Sequence, residues 1–207
     1  MSAIARAGIV APAGTRTPGR ERPQHEFANG SAVVPCTVLV GSPRRQSRTQ
    51  AVTEQLAQRT CRELSATGLD IEPARLVDVR ELSPIALDGQ QDEVQAAIAE
   101  LTRPGLLFIG SPTYLESFSG MLKLLLDLVP RDGLGRTVAV PVMTAADPRH
   151  RMAVDRSLAP LLVAMGATVP APGLSVLVDD MPQLDGLLDT WVEAACSKLA
   201  AALRQTC

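Results

Sequence analysis

CTVLVGSPRRQSRT, residues 36–49, decides the fold of this chain, because it runs from an apolar strand through a tight loop into a helical pattern. Three guanidinium groups and three hydroxyls lie in this loop: Arg44, Arg45, Arg48, Ser42, Ser47 and Thr49. Backbone N–H groups at a helix start, hydroxyls and guanidinium groups all favour a phosphate. We therefore predict an anion site here. A plain structural role stays open, since Ser47 and Gln50 have the spacing of a capping box and Gly-Ser-Pro is common in turns.

Alternating short apolar runs and longer helical patterns from residue 36 onward predict an α/β fold, a parallel sheet with helices on both faces. The expected strands lie at residues 36–40, 71–77, 106–110, 137–143 and 173–178. The expected helices lie at residues 48–66, 91–102, 119–129, 152–165 and 183–204. Pro141 conflicts with an interior strand, because proline cannot donate to a ladder, and we place it at the strand's end.

The composition predicts one ordinary domain with a tail. The chain has 207 residues, 46% of them hydrophobic, and a formal charge of −2. Residues 1–35 contain only two acidic residues and no sustained hydrophobic period, so we expect a flexible N-terminal tail before a domain at 36–207. We expect no nucleic-acid or membrane partner, and a cytoplasmic protein. Four scattered cysteines and two histidines predict neither a metal site nor a disulfide framework.

Three loops should meet beyond the carboxyl ends of the strands if the sheet is doubly wound. They are residues 41–49, then 110–119 with the sequence GSPTYLESFS, and 143–151 with the sequence MTAADPRHR. The first is cationic, whereas the others are suited to border a flat, mostly apolar body. The sequence has no GxSxG, P-loop or GxGxxG motif, which argues against a serine hydrolase, an NTPase and a Rossmann dehydrogenase.

Three ordered segments resemble the NADPH-dependent FMN reductase family: GSPRRQSRT at 41–49, SPTYLESFSGMLKLLLDLVP at 111–130 and VPVMTAADPRHRMAVDRSLAPLL at 140–162. Within that family they are most similar to the sulfonate-utilisation flavin reductases, which supply reduced flavin to a separate monooxygenase. The resemblance implies a flavodoxin-like, doubly wound five-stranded parallel sheet in the order 2-1-3-4-5. It also implies an NAD(P)H:FMN oxidoreductase with FMN as cofactor and NADPH or NADH as electron donor. A quinone, azo or chromate reductase with bound FMN, a non-enzymatic electron carrier and a flavin-binding partner protein stay open as alternatives.

The resemblance also implies which residues bind the cofactor. Those of the phosphate loop are Ser42, Arg44, Ser47, Arg48 and Thr49. Those along the ribityl chain and the ring are Pro112, Thr113, Tyr114 and Leu115. Those against the isoalloxazine are Thr144, Ala145 and Ala146. No catalytic side chain is implied, because the flavin itself carries the hydride, although Tyr114 could position a ring or simply fill space.

Ala145 and Ala146 depart from the family, which usually has Thr-Gly-Gly here. Alanine costs roughly 1–2 kcal/mol in the left-handed conformation that glycine adopts easily. We therefore expect FMN to bind about tenfold more weakly than it would with glycines.

Two further features bear on partners. The segment GMLKLLLDLV, residues 120–129, is apolar almost all round except for Lys123 and Asp127, an expected surface ion pair. A partner subunit would cover it, so we predict a homodimer or homotetramer, with a flavin-dependent monooxygenase as a possible further partner. His150, with Arg149 and Arg151, either meets the adenosine phosphate of NADPH or forms a solvated basic loop.

Overall fold

A five-stranded parallel sheet forms the centre of the computed structural model, which describes residues 33–82 and 91–206. Its strands are β1 (Cys36–Val40), β2 (Arg75–Asp78), β3 (Gly105–Pro112), β4 (Thr137–Ala145) and β5 (Leu174–Leu177). They pair in the order β2-β1-β3-β4-β5. This confirms the predicted doubly wound sheet and its strand order. The proposed tail stays a prediction for residues 1–32, which lie outside the described ranges. Its predicted end at residue 35 is too late, because Val34 is buried in the core and forms a bridge with Ile71.

Helices cover both faces of the sheet. They are α1 (Arg48–Ala66), α2 (Val79–Leu82), α3 (Asp92–Leu101), α4 (Gly120–Leu126), α5 (Ala159–Ala164) and α6 (Leu184–Thr206). Two 3-10 segments, Pro148–Met152 and Val178–Gln183, and one π-helical segment, Val154–Leu158, complete the described elements. Among these helices none is both long and apolar enough to cross a membrane.

The central strands β1, β3 and β4 are buried on both faces, as their continuous apolar runs predict. In β3, Leu106 and Phe108 pack in the core beneath α1 and α6, whereas Leu107 and Ile109 pack in the core on the side of α3 and α4. Phe108 is completely buried. Because side chains alternate along a strand, an unbroken apolar run needs cover on both sides.

Pro141 lies in the middle of β4, so its predicted place at the strand's end is wrong. It sits beside Ile109 in the ladder with β3. The amide of Ala139 donates to Thr168 O, on the β5 side, and the nitrogen of residue 141 points the same way because it is two residues further on. The ladder with β5 starts only at Val142, so no acceptor is left without a donor at Pro141.

Strand β1 and helix α1 have the predicted bounds. The bounds of other elements differ from the prediction for local reasons. The second strand shortens to residues 75–78, with Ile71 left in an isolated bridge and Pro73 between them. The helix predicted at 152–165 is broken, because Pro160 cannot donate and the amide of Ala159 reaches back to Val154 O.

Candidate functional site

A cavity of about 400 Å³ lies at the carboxyl ends of β1, β3, β4 and β5. The three predicted loops border it, and its lining includes all the residues expected to bind a cofactor except Leu115. They are Ser42, Arg44, Ser47, Arg48, Thr49, Pro112, Thr113, Tyr114, Thr144, Ala145 and Ala146. The topology therefore brings together residues more than 100 positions apart in the sequence.

The first loop presents the amino end of α1 to the cavity. Ser47 caps this helix, since its Oγ accepts a hydrogen bond from Gln50 N at 3.1 Å. The reciprocal half of a capping box does not form, because the Gln50 side chain donates to Glu54 instead. No acidic residue lies in the first turn of α1. The positive end of the helix dipole therefore faces the cavity without a carboxylate in that turn.

The three arginines of this loop are not neutralised by the rest of the fold. Arg44, Arg45 and Arg48 are exposed, and in the described part of the chain none of them forms an ion pair. Gln46 has a φ of 45° and so turns the chain sharply into the helix cap. Three unpaired guanidinium groups next to a helix amino end suit a doubly charged anion such as a phosphate monoester.

Hydrogen bonds tie the three loops to one another. Thr49 Oγ1 lies 2.6 Å from Thr144 Oγ1, which joins the start of α1 to the end of β4. The amide of Thr113 donates to Thr144 O at 2.8 Å, which joins the second loop to the third. The buried Ser119 caps α4 and its Oγ donates to Gly41 O at 2.5 Å. The cavity is therefore formed by an interconnected frame rather than by three independent loops.

One buried polar atom in the cavity wall has no partner. Thr113 Oγ1 is inaccessible to solvent and makes no hydrogen bond within the described residues. A buried hydroxyl without a partner costs about 1–3 kcal/mol, so such groups usually mark a missing ligand or water. Its position between the cationic loop and the third loop suits a polar ligand that extends away from the anion site.

Leu115 lies differently from the other predicted residues. Tyr114 and Ser117 pair through both backbone hydrogen bonds, and the two residues between them have positive φ, 47° at Leu115 and 63° at Glu116. The turn directs Leu115 outward, where it is 97% exposed. Tyr114 is 43% exposed at the mouth of the cavity. This arrangement therefore gives no support to the prediction that Leu115 contacts a ligand inside this cavity.

The prediction of left-handed backbone strain at Ala145 and Ala146 is wrong. Ala145 is a residue of β4 that pairs with Leu177, and neither alanine is among the residues with positive φ. The methyl groups therefore carry no left-handed penalty, and only their volume distinguishes this site from one built with glycine. Ala145 is 4% exposed, so its methyl group belongs largely to the cavity floor.

The two arginines of the third loop are paired with carboxylates. Asp147 accepts from both the side chain and the amide of Arg149, and these contacts lower the pKa of Asp147 to about 2. Arg151 pairs with Asp180 at 3.1 Å. Both arginines already have anionic partners, so the expectation that this loop binds the adenosine phosphate of NADPH stays a prediction.

Sequence reasoning missed the part of the cavity beyond β5. Arg45 and Gln46 belong to the predicted loop, but Val176, Leu177, Val178 and Met181 also line the cavity. The strand order already contained the signal, because β5 neighbours β4 and ends at the same edge. These apolar side chains give that side of the cavity a non-polar wall.

In residues 33–82 and 91–206, no group of three or more His, Cys, Asp or Glu is placed to hold a metal ion.

Comparisons with known proteins agree with this arrangement. The family model described as NADPH-dependent FMN reductase matches residues 35–180. An FMN reductase (NADPH) of Escherichia coli is 32% identical over 71% of this chain and 74% of its own. The NADH-dependent FMN reductase SfnF of Pseudomonas putida is 28% identical over 74% of this chain and 82% of its own. The solved apo form of the NADH:FMN oxidoreductase EmoB matches with a TM-score of 0.63 and 26% identity, over 78% of this chain and 90% of that one.

Proposed function

The chain belongs to the NADPH-dependent FMN reductase family, and on that premise we propose that it is an NAD(P)H-dependent FMN reductase. The observation that carries the proposal is the unpaired arginine loop at the amino end of α1, which opens into a cleft with an apolar wall. This combination matches a ligand with a phosphate at one end and a flat ring at the other. The relatives are named for different electron donors, NADH or NADPH, so both donors are to be tested.

The residues present fit FMN. Arg44, Arg48 and the amino end of α1 would hold the phosphate, and the partnerless hydroxyl of Thr113 would bond the polar ribityl chain. Ala145 and the residues after β5 would border the ring. When bound, FMN would supply the redox chemistry, a two-electron transfer from the nicotinamide to an acceptor.

The chain's own contribution is position and environment rather than acid–base chemistry. The hydrogen bonds that Thr49 and the amide of Thr113 form with Thr144 keep the phosphate and ring regions at a constant separation. The apolar wall formed by Val176, Leu177 and Met181 excludes water from one side of the cleft. Tyr114 stands at the mouth, where an aromatic ring would orient a second planar substrate.

Steady-state oxidation of NADH and of NADPH, each with and without added FMN, tests this proposal. We expect oxidation by at least one donor that depends on FMN and on the protein and that saturates with FMN. An electron carrier would retain flavin without turnover. If neither donor is oxidised above the rate without protein, the proposed function is refuted.

Assembly, partners and location complete the proposal. The outer side of α4 keeps Met121 and Leu124 only half-buried beside the Lys123–Asp127 ion pair, which the structure contains as predicted. We propose that a second copy of the chain covers this side in a homodimer or homotetramer, and light scattering would detect it. We further propose that the enzyme works in the cytoplasm and delivers reduced flavin to a separate monooxygenase, as the resemblance to the sulfonate-utilisation flavin reductases implies.

A further inference from the structure

Two cysteines that are 25 positions apart in sequence meet on the α1 side of the sheet. Cys36 is the first residue of β1, and Cys61 lies in the second half of α1. Their Sγ atoms are 3.4 Å apart, and no disulfide joins them. A disulfide needs sulfurs about 2.05 Å apart, so the two sulfurs have to approach by only about 1.4 Å to form one.

The two thiols have different access to solvent. Cys36 is 1% exposed and belongs to the hydrophobic core. Cys61 is partly exposed and lines a surface cavity of about 590 Å³ between α1 and the segment 71–76, with Arg62 and Glu72 among its charged neighbours. A small oxidant in solvent can therefore reach Cys61 but not Cys36.

The protonation of the pair follows the same asymmetry. The hydrogen bond with Cys61, together with burial, raises the pKa of the Cys36 thiol. The same hydrogen bond lowers the pKa of Cys61, because a thiolate there accepts it. Glu72, which also raises the pKa of Cys36, is itself paired with Arg103. Of the two thiols, the accessible Cys61 is therefore the one that loses its proton more readily, and the thiolate is the reactive form of cysteine.

We propose that Cys61 and Cys36 form a hydroperoxide-reactive dithiol, in which Cys61 is attacked first and Cys36 resolves the product. The Cys61 thiolate takes one oxygen of hydrogen peroxide: the O–O bond breaks, an S–O bond forms, and the hydroxide released becomes water. The Cys36 sulfur then attacks Cys61: an S–S bond forms, the S–O bond breaks, and the departing hydroxide leaves as water with the Cys36 proton. Two thiols and one peroxide give a disulfide and two waters.

The source of peroxide rests on the proposed function. Reduced flavin that meets dioxygen returns to its oxidised form and yields hydrogen peroxide, so this enzyme would work beside its own oxidant. The dithiol lies at the far end of β1 from the phosphate loop, about 16 Å away along a five-residue strand. Its reversible disulfide protects Cys61 from the irreversible sulfinic acid without closing the cofactor cavity.

Hydrogen peroxide added to the purified full-length protein tests the chemistry without turnover. We expect a Cys36–Cys61 link, detected by tryptic mass mapping as a loss of two hydrogens and reversed by dithiothreitol. Trypsin cleaves after the arginines between positions 44 and 59, so the two cysteines fall on different peptides. In Cys36→Ser, dimedone should trap a sulfenic acid at Cys61, and sulfinic acid there should rise roughly tenfold over the wild type. Cys196→Ser is the matched control, because Cys196 is also partly exposed but should not take part.

The wild-type map alone can overturn the proposal, so it does not depend on a variant that folds. Oxidation of Cys196 before Cys61, or a disulfide that leaves either Cys36 or Cys61 free, would contradict it. A second arm replaces added peroxide with NADH or NADPH, FMN and air, with and without catalase. If added peroxide forms the link but turnover does not consume the donor, the proposed function fails and the dithiol stands.

Discussion

Replacement of Arg44 by alanine tests the assignment of the cationic loop to the FMN phosphate. A hydrogen bond to a charged group contributes about 1.5–3 kcal/mol, and each 1.4 kcal/mol is a factor of ten in affinity. Arg44 is exposed, so solvent screens its charge, and Arg45 and Arg48 remain nearby. We therefore expect the lower end of this range, a loss of about tenfold in FMN affinity.

Flavin fluorescence titration measures this loss, and riboflavin is the internal control because it lacks the phosphate. Riboflavin affinity should change little in Arg44→Ala, and higher salt should weaken FMN binding more in the wild type than in the variant. Arg62→Ala is a matched control, since Arg62 is exposed like Arg44 but lies further along α1 and does not line the cofactor cavity. Equal losses for FMN and riboflavin would refute the phosphate assignment.

Three further outcomes follow from the same geometry. The double variant Ala145→Gly, Ala146→Gly should bind FMN within about threefold of the wild type, because no left-handed strain is relieved; a tenfold gain by titration would contradict this. Ser119→Ala removes the cap of α4 and the donor to Gly41 O, so the free energy of unfolding should fall by about 2 kcal/mol and the Tm by roughly 4–8 °C. An unchanged Tm in thermal unfolding would count against the hydrogen bonds between the loops. The pKa of Asp147 is lowered from 3.8 to about 2, so its contribution to stability is complete above about pH 4 and is lost as the pH falls towards 2. In acid unfolding, the stability difference between the wild type and Asp147→Asn should therefore shrink over that range. A constant difference would argue against the Arg149 pair.

Local sequence patterns predicted the parts of the fold that depend on local physics. The bounds of β1 and α1 follow from an apolar run, a turn and a cap, all within 31 consecutive residues. The meeting of the three loops follows from strand order, because parallel strands end at one edge. These two facts together were enough to bring 11 of the 12 candidate binding residues to one cavity.

Tertiary spacing decided what the sequence could not predict. Pro141 is tolerated within β4 because of a gap between Thr168 and the start of β5, which no local pattern reveals. The outward turn at Leu115 depends on two non-glycine residues with positive φ, which residue preferences disfavour. The Cys36–Cys61 contact depends on how α1 lies across β1, so widely spaced cysteines in the sequence gave no sign of it.

The hydrogen bonds that join Thr49, Thr113 and Thr144 bear on how quickly the cofactor can come and go. Because they order the loops when the chain folds, little conformational entropy remains to be lost when a flavin arrives. Capture and release then require no segment to fold or melt. Amide hydrogen exchange at these loops should accordingly be slow in the apoprotein and nearly unchanged by FMN. Such a site suits a flavin that leaves at the end of each turnover as well as one that stays.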